Sequence, residues 1–135
     1  MNVLIALYFP NHEHHQAALE WLRDVSQFAT TPITETGFLR LTTNKTIFQD
    51  AVLPRRALVS LTELRAHPKW EFWPDRTSLT VPRISTAPLL GSKQVTDFHL
   101  VNLAATHPGV LATFDSKLLV SLRTIDRKYV RIIPT

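Results

Sequence analysis

Apolar positions along the chain switch between two spacings, and the switches mark short strands alternating with short helices. The clearest helical spacing runs from about His14 to Val25, with Ala18, Trp21, Leu22 and Val25 on one face and Glu20 and Arg23 on the other. A second helix begins at Pro32, a residue suited to the first helical position, and runs to about Leu41. A third starts at Pro54 and carries Ala57, Leu58, Leu61 and Leu64 before His67 and Pro68 close it. The fourth runs through Phe98, Leu100, Val101, Leu103 and Ala105, with Thr96 as its cap and His107, Pro108 and Gly109 as its stop. A short helix containing Leu118, Leu119 and Leu122 follows.

Between these lie runs that read as strands: Phe28 to Thr31, the aromatic alternation Trp70, Phe72 and Trp73 ended by Pro74, Val110 to Phe114, and Tyr129 to Ile133. Val110 to Phe114 is almost wholly apolar, as expected of a parallel strand covered on both faces. The opening run Val3 to Phe9 is too short for periodicity to separate a buried strand from a buried helical turn. Asn44 to Leu53 is a connection, and Thr77 to Ser92, broken by Pro82 and Pro88, is a loop or short helix over the site. The alternation predicts an α/β fold with a central parallel sheet and helices on both faces.

Composition narrows the picture. A chain of 135 residues with 44% hydrophobic content reads as one domain, residues 1–135, with a core of its own. With no cysteine, disulfides and thiolate metal sites are excluded, and the cytoplasm is the default compartment. The longest apolar run, Val3 to Phe9, falls well short of the roughly 18 residues of a spanning helix. Fifteen Lys and Arg against eleven Asp and Glu give +4 and a pI of 9.9, which suits a polyanion such as nucleic acid. The basic residues are scattered, however, so a solvated basic surface explains the same charge.

Three carboxylates stand out by position. Asp97 falls in the first turn of its helix with Leu100 and Val101 three and four residues on, so the acid shares the apolar face and is aimed inward. An inward carboxylate must be neutralised, hydrogen-bonded or bound to a cation, although the helix dipole alone also favours a first-turn Asp. Glu35 repeats the pattern ahead of Phe38 and Leu39. Asp115 follows the apolar strand, on the rim where α/β folds bind ligands. In a parallel sheet all three face one edge, and carboxylates about 4 Å apart repel by roughly 1 kcal/mol per pair in water and about 4 at a protein-like dielectric. A cation reverses that cost. An all-oxygen set selects a hard ion, Mg²⁺ or Mn²⁺, able to activate a water and orient a phosphodiester.

Two other groups read as structural. His12, His14 and His15 open the first clear helix, but adjacent helical residues point about 100° apart and no carboxylate joins them, which indicates a solvated helix start rather than a metal site. Trp70, Phe72 and Trp73 fit a core strand, with base stacking as the alternative.

The phrases FATTPITETGFLRL, HPKWEFWPD, VTDFHLVNLA and VLATFDSKL, in that order over nearly the whole chain, resemble a PIN-domain ribonuclease of the VapC toxin type. The resemblance implies a three-layer α/β/α fold, Mg²⁺-dependent hydrolysis of RNA, a homodimer and inhibition by a VapB-type antitoxin. It matches Glu35 to the acid of a TE motif, Asp97 to that of a VTD motif and Asp115 to that of an ATFD motif. Thr113 matches a supporting hydroxyl residue, and Asn2 the Asn of an opening Asp-x-Asn-Val-Leu motif. Arg40 matches a recurrent Arg, read as a phosphate contact or a salt bridge, and Arg76 and Arg83 are further phosphate candidates. The departure lies at the front, where only Met1 precedes Asn2. The family's first acid and first central strand are therefore expected upstream of this chain, with Val3 to Phe9 as the first helix. The alternative is a degenerate PIN fold that binds RNA or antitoxin without catalysis. An aspartyl-phosphate phosphatase ranks low, because no first strand here ends in an Asp with a second Asp two residues on.

Overall fold

A computed structural model describes residues 1–135, and the chain divides into two units, one formed by residues 1–74 with Thr135 and the other by residues 75–134. The first unit begins with α1 (Asn2–Tyr8), so the ambiguous apolar run is helical, with Val3, Ile5 and Ala6 buried. Helix α2 (His15–Asp24) follows a tight turn in which the His12 ring accepts the backbone N–H of His14 at 3.0 Å. The His15 ring meets the Ala6 carbonyl at 2.7 Å. These histidines are half-buried parts of the turn rather than a solvated helix start.

Strand β1 (Phe28–Thr30) pairs in parallel with β2 (Trp70–Phe72), with Phe28 opposite Trp70 and Thr30 opposite Phe72. A parallel pair needs a long crossover, and α3 (Pro32–Thr42) and α4 (Pro54–Arg65) supply it. Helix α3 starts where its sequence dictates. Thr31 and Thr34 exchange side-chain and backbone hydrogen bonds at 3.1 and 2.8 Å, and Pro32 takes the first helical position. Gly37 tolerates the close approach of Met1, since an added Cβ would collide with the Met1 side chain. The unit's core gathers Ile5, Phe9, Phe38, Ala57 and Leu61. Trp73 lies outside the ladder, with its N–H on the Thr30 carbonyl at 2.9 Å.

The second unit is built on α5 (Val95–Thr106), which buries Phe98, Leu100, Val101, Asn102, Leu103 and Ala104. Strand β3 (Leu111–Thr113) pairs in parallel with β4 (Val130–Ile132), and α6 (Ser116–Ser121) begins the crossover. Phe98 and Val101 pack with Ile84, Leu118, Leu122 and Val130. Two buried polar side chains bind the irregular stretch to this core. Asn102 accepts the Arg83 N–H at 2.7 Å, and Asp126 accepts the Ser85 N–H at 2.9 Å.

Several expectations shift. Thr96 does not cap α5, because a 3₁₀ turn, Ser92–Gln94, leads into the helix and Gln94 stands at its start. The Gln94 side chain accepts the N–H groups of Leu90 and Gly91, at 2.8 and 3.1 Å, and so shapes the turn that a Thr cap would have ended. Val110 is 43% exposed and precedes β3, so the apolar run is not covered on both faces. Within each unit the strands pair in parallel, β1 with β2 and β3 with β4. No helix is long and apolar enough to cross a membrane.

Candidate functional site

In the second unit, Asp97 occupies the first turn of α5, half-buried, with Leu100 and Val101 buried behind it as the spacing predicts. Burial raises its pKa, and the negative charge of Asp115 pushes in the same direction. These two acids, distant in sequence, therefore share one electrostatic environment. Asp115 arrives there because β3 ends one residue before Phe114 and the chain turns directly into α6. Its backbone N–H donates to the buried Thr113 hydroxyl at 3.1 Å, and its Oδ1 accepts the Lys117 N–H at 2.9 Å as the cap of α6. Thr113 thus holds the backbone that carries the acid.

The pair fits a hard divalent ion. Mg²⁺ needs only one or two carboxylates and keeps water for the rest of its shell. A cation between Asp97 and Asp115 would also remove the repulsion and burial cost that now oppose the charge on Asp97. No group of three His, Asp or Glu side chains is drawn together closely enough to hold an ion. Asp115 acts on the charge of Asp97 across the site.

Glu35, in the first unit, has its charge answered otherwise. Nη1 of Arg65 donates to both of its oxygens, at 2.9 and 2.8 Å, and the Thr30 hydroxyl donates to Oε2 at 2.6 Å. The Trp70 indole N–H in turn donates to the Thr30 hydroxyl at 2.8 Å. The Arg65 guanidinium lies 4.4 Å from the Trp70 ring centre and 4.9 Å from that of Phe72. Sequence reasoning passed over Arg65. Its signal was an Arg in the last turn of α4, just before the aromatic strand that supplies its stacking partners.

Arg40, Arg76 and Arg83 are exposed, as is Asn2 at the start of α1. A second overlooked pair lies in the second unit, where the His99 ring and the Asp75 carboxylate form a short hydrogen bond, both about five-sixths buried. Burial by itself would raise the Asp75 pKa, but the Thr77 backbone N–H, His99 and the Thr77 hydroxyl together lower it. Both residues sit inside conspicuous phrases, WPD and TDFH, and went unremarked because neither belongs to the acid pattern.

No family model matches the chain. Among curated proteins it is 40% identical over 121 residues to Ribonuclease VapC39 of Mycobacterium tuberculosis, covering 87% of each chain. It is also 39% identical over 118 residues to Ribonuclease VapC29, covering 87% of this chain and 84% of the relative. With Ribonuclease VapC38 it shares 36% over 121 residues, covering 86% and 82%. All three relatives come from that organism. Near-full-length identity at this level, joined to the ordered phrases and the paired acids, shows that the chain belongs to the VapC-type PIN ribonuclease family.

Proposed function

We propose that this chain is an endoribonuclease toxin that hydrolyses RNA phosphodiesters with a hard divalent ion, Mg²⁺ or Mn²⁺, held by Asp97 and Asp115. The observation that carries the reading is the near-full-length identity to proteins named Ribonuclease VapC, and the burial of Asp97 with Asp115 acting on its charge supports the choice of these two acids for an oxygen-preferring cation. When bound, the ion supplies an activated water and a countercharge for the phosphate. The remaining work falls to the chain. Thr113 fixes the Asp115 backbone, and α5 holds Asp97 by burying the residues behind it. Glu35 enters the proposal as the third acid and Asn2 as a supporting residue, both on motif matches. Arg40, Arg76 and Arg83 are exposed cations for the RNA backbone. The proposed partners are RNA, a VapB-type antitoxin and a second copy of the chain.

Cleavage of RNA by the purified chain should require Mg²⁺ or Mn²⁺. Asp97→Asn and Asp115→Asn should each lower the rate by at least about a hundredfold while circular dichroism stays unchanged. A metal-independent rate, or full activity in both variants, removes the reading. A second reading, a binding module without catalysis, is favoured by the full engagement of Glu35 with Arg65 and Thr30. Its mark is RNA or antitoxin affinity with no cleavage under any divalent ion.

A further inference from the structure

The Arg65 guanidinium is held on three sides yet keeps one edge unspent. Nη1 alone meets Glu35. Its central carbon lies over the rings of Trp70 and Phe72. A guanidinium carries five N–H donors in a fixed fork, and those on Nε and Nη2 have no protein acceptor. They are not buried, because every buried polar side-chain atom is satisfied and the Arg65 side chain is 38% exposed. Nε and Nη2 form one edge of the plane, and this edge matches two oxygens of a phosphate.

The usual entropic cost of using an arginine is already met here. The two rings beneath the guanidinium carbon and the carboxylate of Glu35, itself 14% exposed and bound to Thr30, restrict the group from two directions. Phe72, one of the two rings against the guanidinium, is 37% exposed, so the group lies near the surface. A purely structural ion pair would be expected to spend the fork on its carboxylate, with two nitrogens on two oxygens. Here one nitrogen serves both oxygens and the better edge faces water.

We infer that Arg65, clamped by Glu35, Trp70 and Phe72, is a built phosphate-binding site that grips one backbone phosphate of the RNA through Nε and Nη2. The inference rests on the ribonuclease reading and adds a substrate contact that the acid motifs do not contain. Because Glu35 offsets the charge of Arg65, recognition comes from the shape of the fork rather than from net charge, and Lys cannot replace it.

The test is binding of a fluorescent single-stranded oligoribonucleotide in EDTA, with RNA integrity checked on a gel. Arg65→Lys should weaken binding about tenfold, whereas Arg55→Lys, exposed on the same helix, should stay within about twofold. Thermal unfolding of Arg65→Lys should track the parent, since a Lys still pairs with Glu35. An oligomer with methylphosphonate linkages, which lack the phosphate charge and one oxygen, should bind both forms alike. Equal affinity of the parent and Arg65→Lys for natural RNA overturns the inference while leaving the ribonuclease reading standing. The same loss with the methylphosphonate oligomer also overturns it, because the edge would then read something other than phosphate. If the parent binds no RNA, the ribonuclease reading falls and this inference with it.

Discussion

Glu35 and Asp97 occupy equivalent places, each in the first turns of a helix with apolar residues three and four positions on, yet the fold treats them oppositely. Glu35 receives an arginine, a hydroxyl and, one step removed, an indole N–H. Asp97 receives burial and a second negative charge, and its pKa rises. The same local pattern therefore yields one acid that the chain satisfies and one that it leaves in conflict. A position that sacrifices stability in this way is where an exchangeable ion has most to offer.

The comparison can be broken at either end. The largest effect is expected at the satisfied end, where Arg65→Ala leaves a mostly buried Glu35 carboxylate without its cation. Because Arg65 is itself 38% exposed and water can partly replace it, the loss should be about 2 kcal/mol rather than the larger cost of a fully buried pair. Chemical denaturation measures it, and adding Glu35→Gln should recover part of the loss. An unchanged unfolding midpoint would show that the pair is ornamental.

Asp75 provides an intermediate case, a satisfied acid in the same unit as Asp97. Its pKa is lowered in the fold, so its ionised form stabilises above the unfolded value, and that contribution fades as pH falls through the folded value. Asp75→Asn should cost about 1.5 kcal/mol near neutrality, and the difference from the parent should shrink in acid. Unfolding curves across pH check the sign. A gap that widens on acidification contradicts the assignment.

The smallest effect is expected at the conflicted end, and in the opposite direction. Because the folded pKa of Asp97 is raised, its contribution to stability is present in acid and lost as pH rises through the folded value. Asp97→Asn should thus be more stable than the parent at neutral pH in EDTA. Added Mg²⁺ should raise the unfolding temperature of the parent and leave the variant unmoved. A variant less stable than the parent in EDTA would mean that Asp97 is held by favourable contacts instead.

Much of this was legible in the residues. Periodicity located α2, α3, α4, α5 and all four strands to within a few positions, because those elements each carry an apolar face or a proline start. The opening helix stayed ambiguous, since seven apolar residues in a row satisfy both periods. Thr96 was misplaced because a cap depends on the turn before it, and Gln94, four residues after Leu90, shapes that turn through its side chain. Asp97 and Asp115 could be picked out from their places at a helix start and a strand end. Arg65 could not, because its meaning arises from Glu35, thirty residues earlier, and from a strand that begins five residues later.

The sequence by itself determined the order of elements, the all-oxygen character of the candidate site and the family, since these depend on residue types and local spacing. Only the tertiary structure decided which acid is paired with a cation and which has its charged form opposed by burial. The sign and size of an electrostatic interaction depend on distance and burial, and neither is written into the chain until it folds.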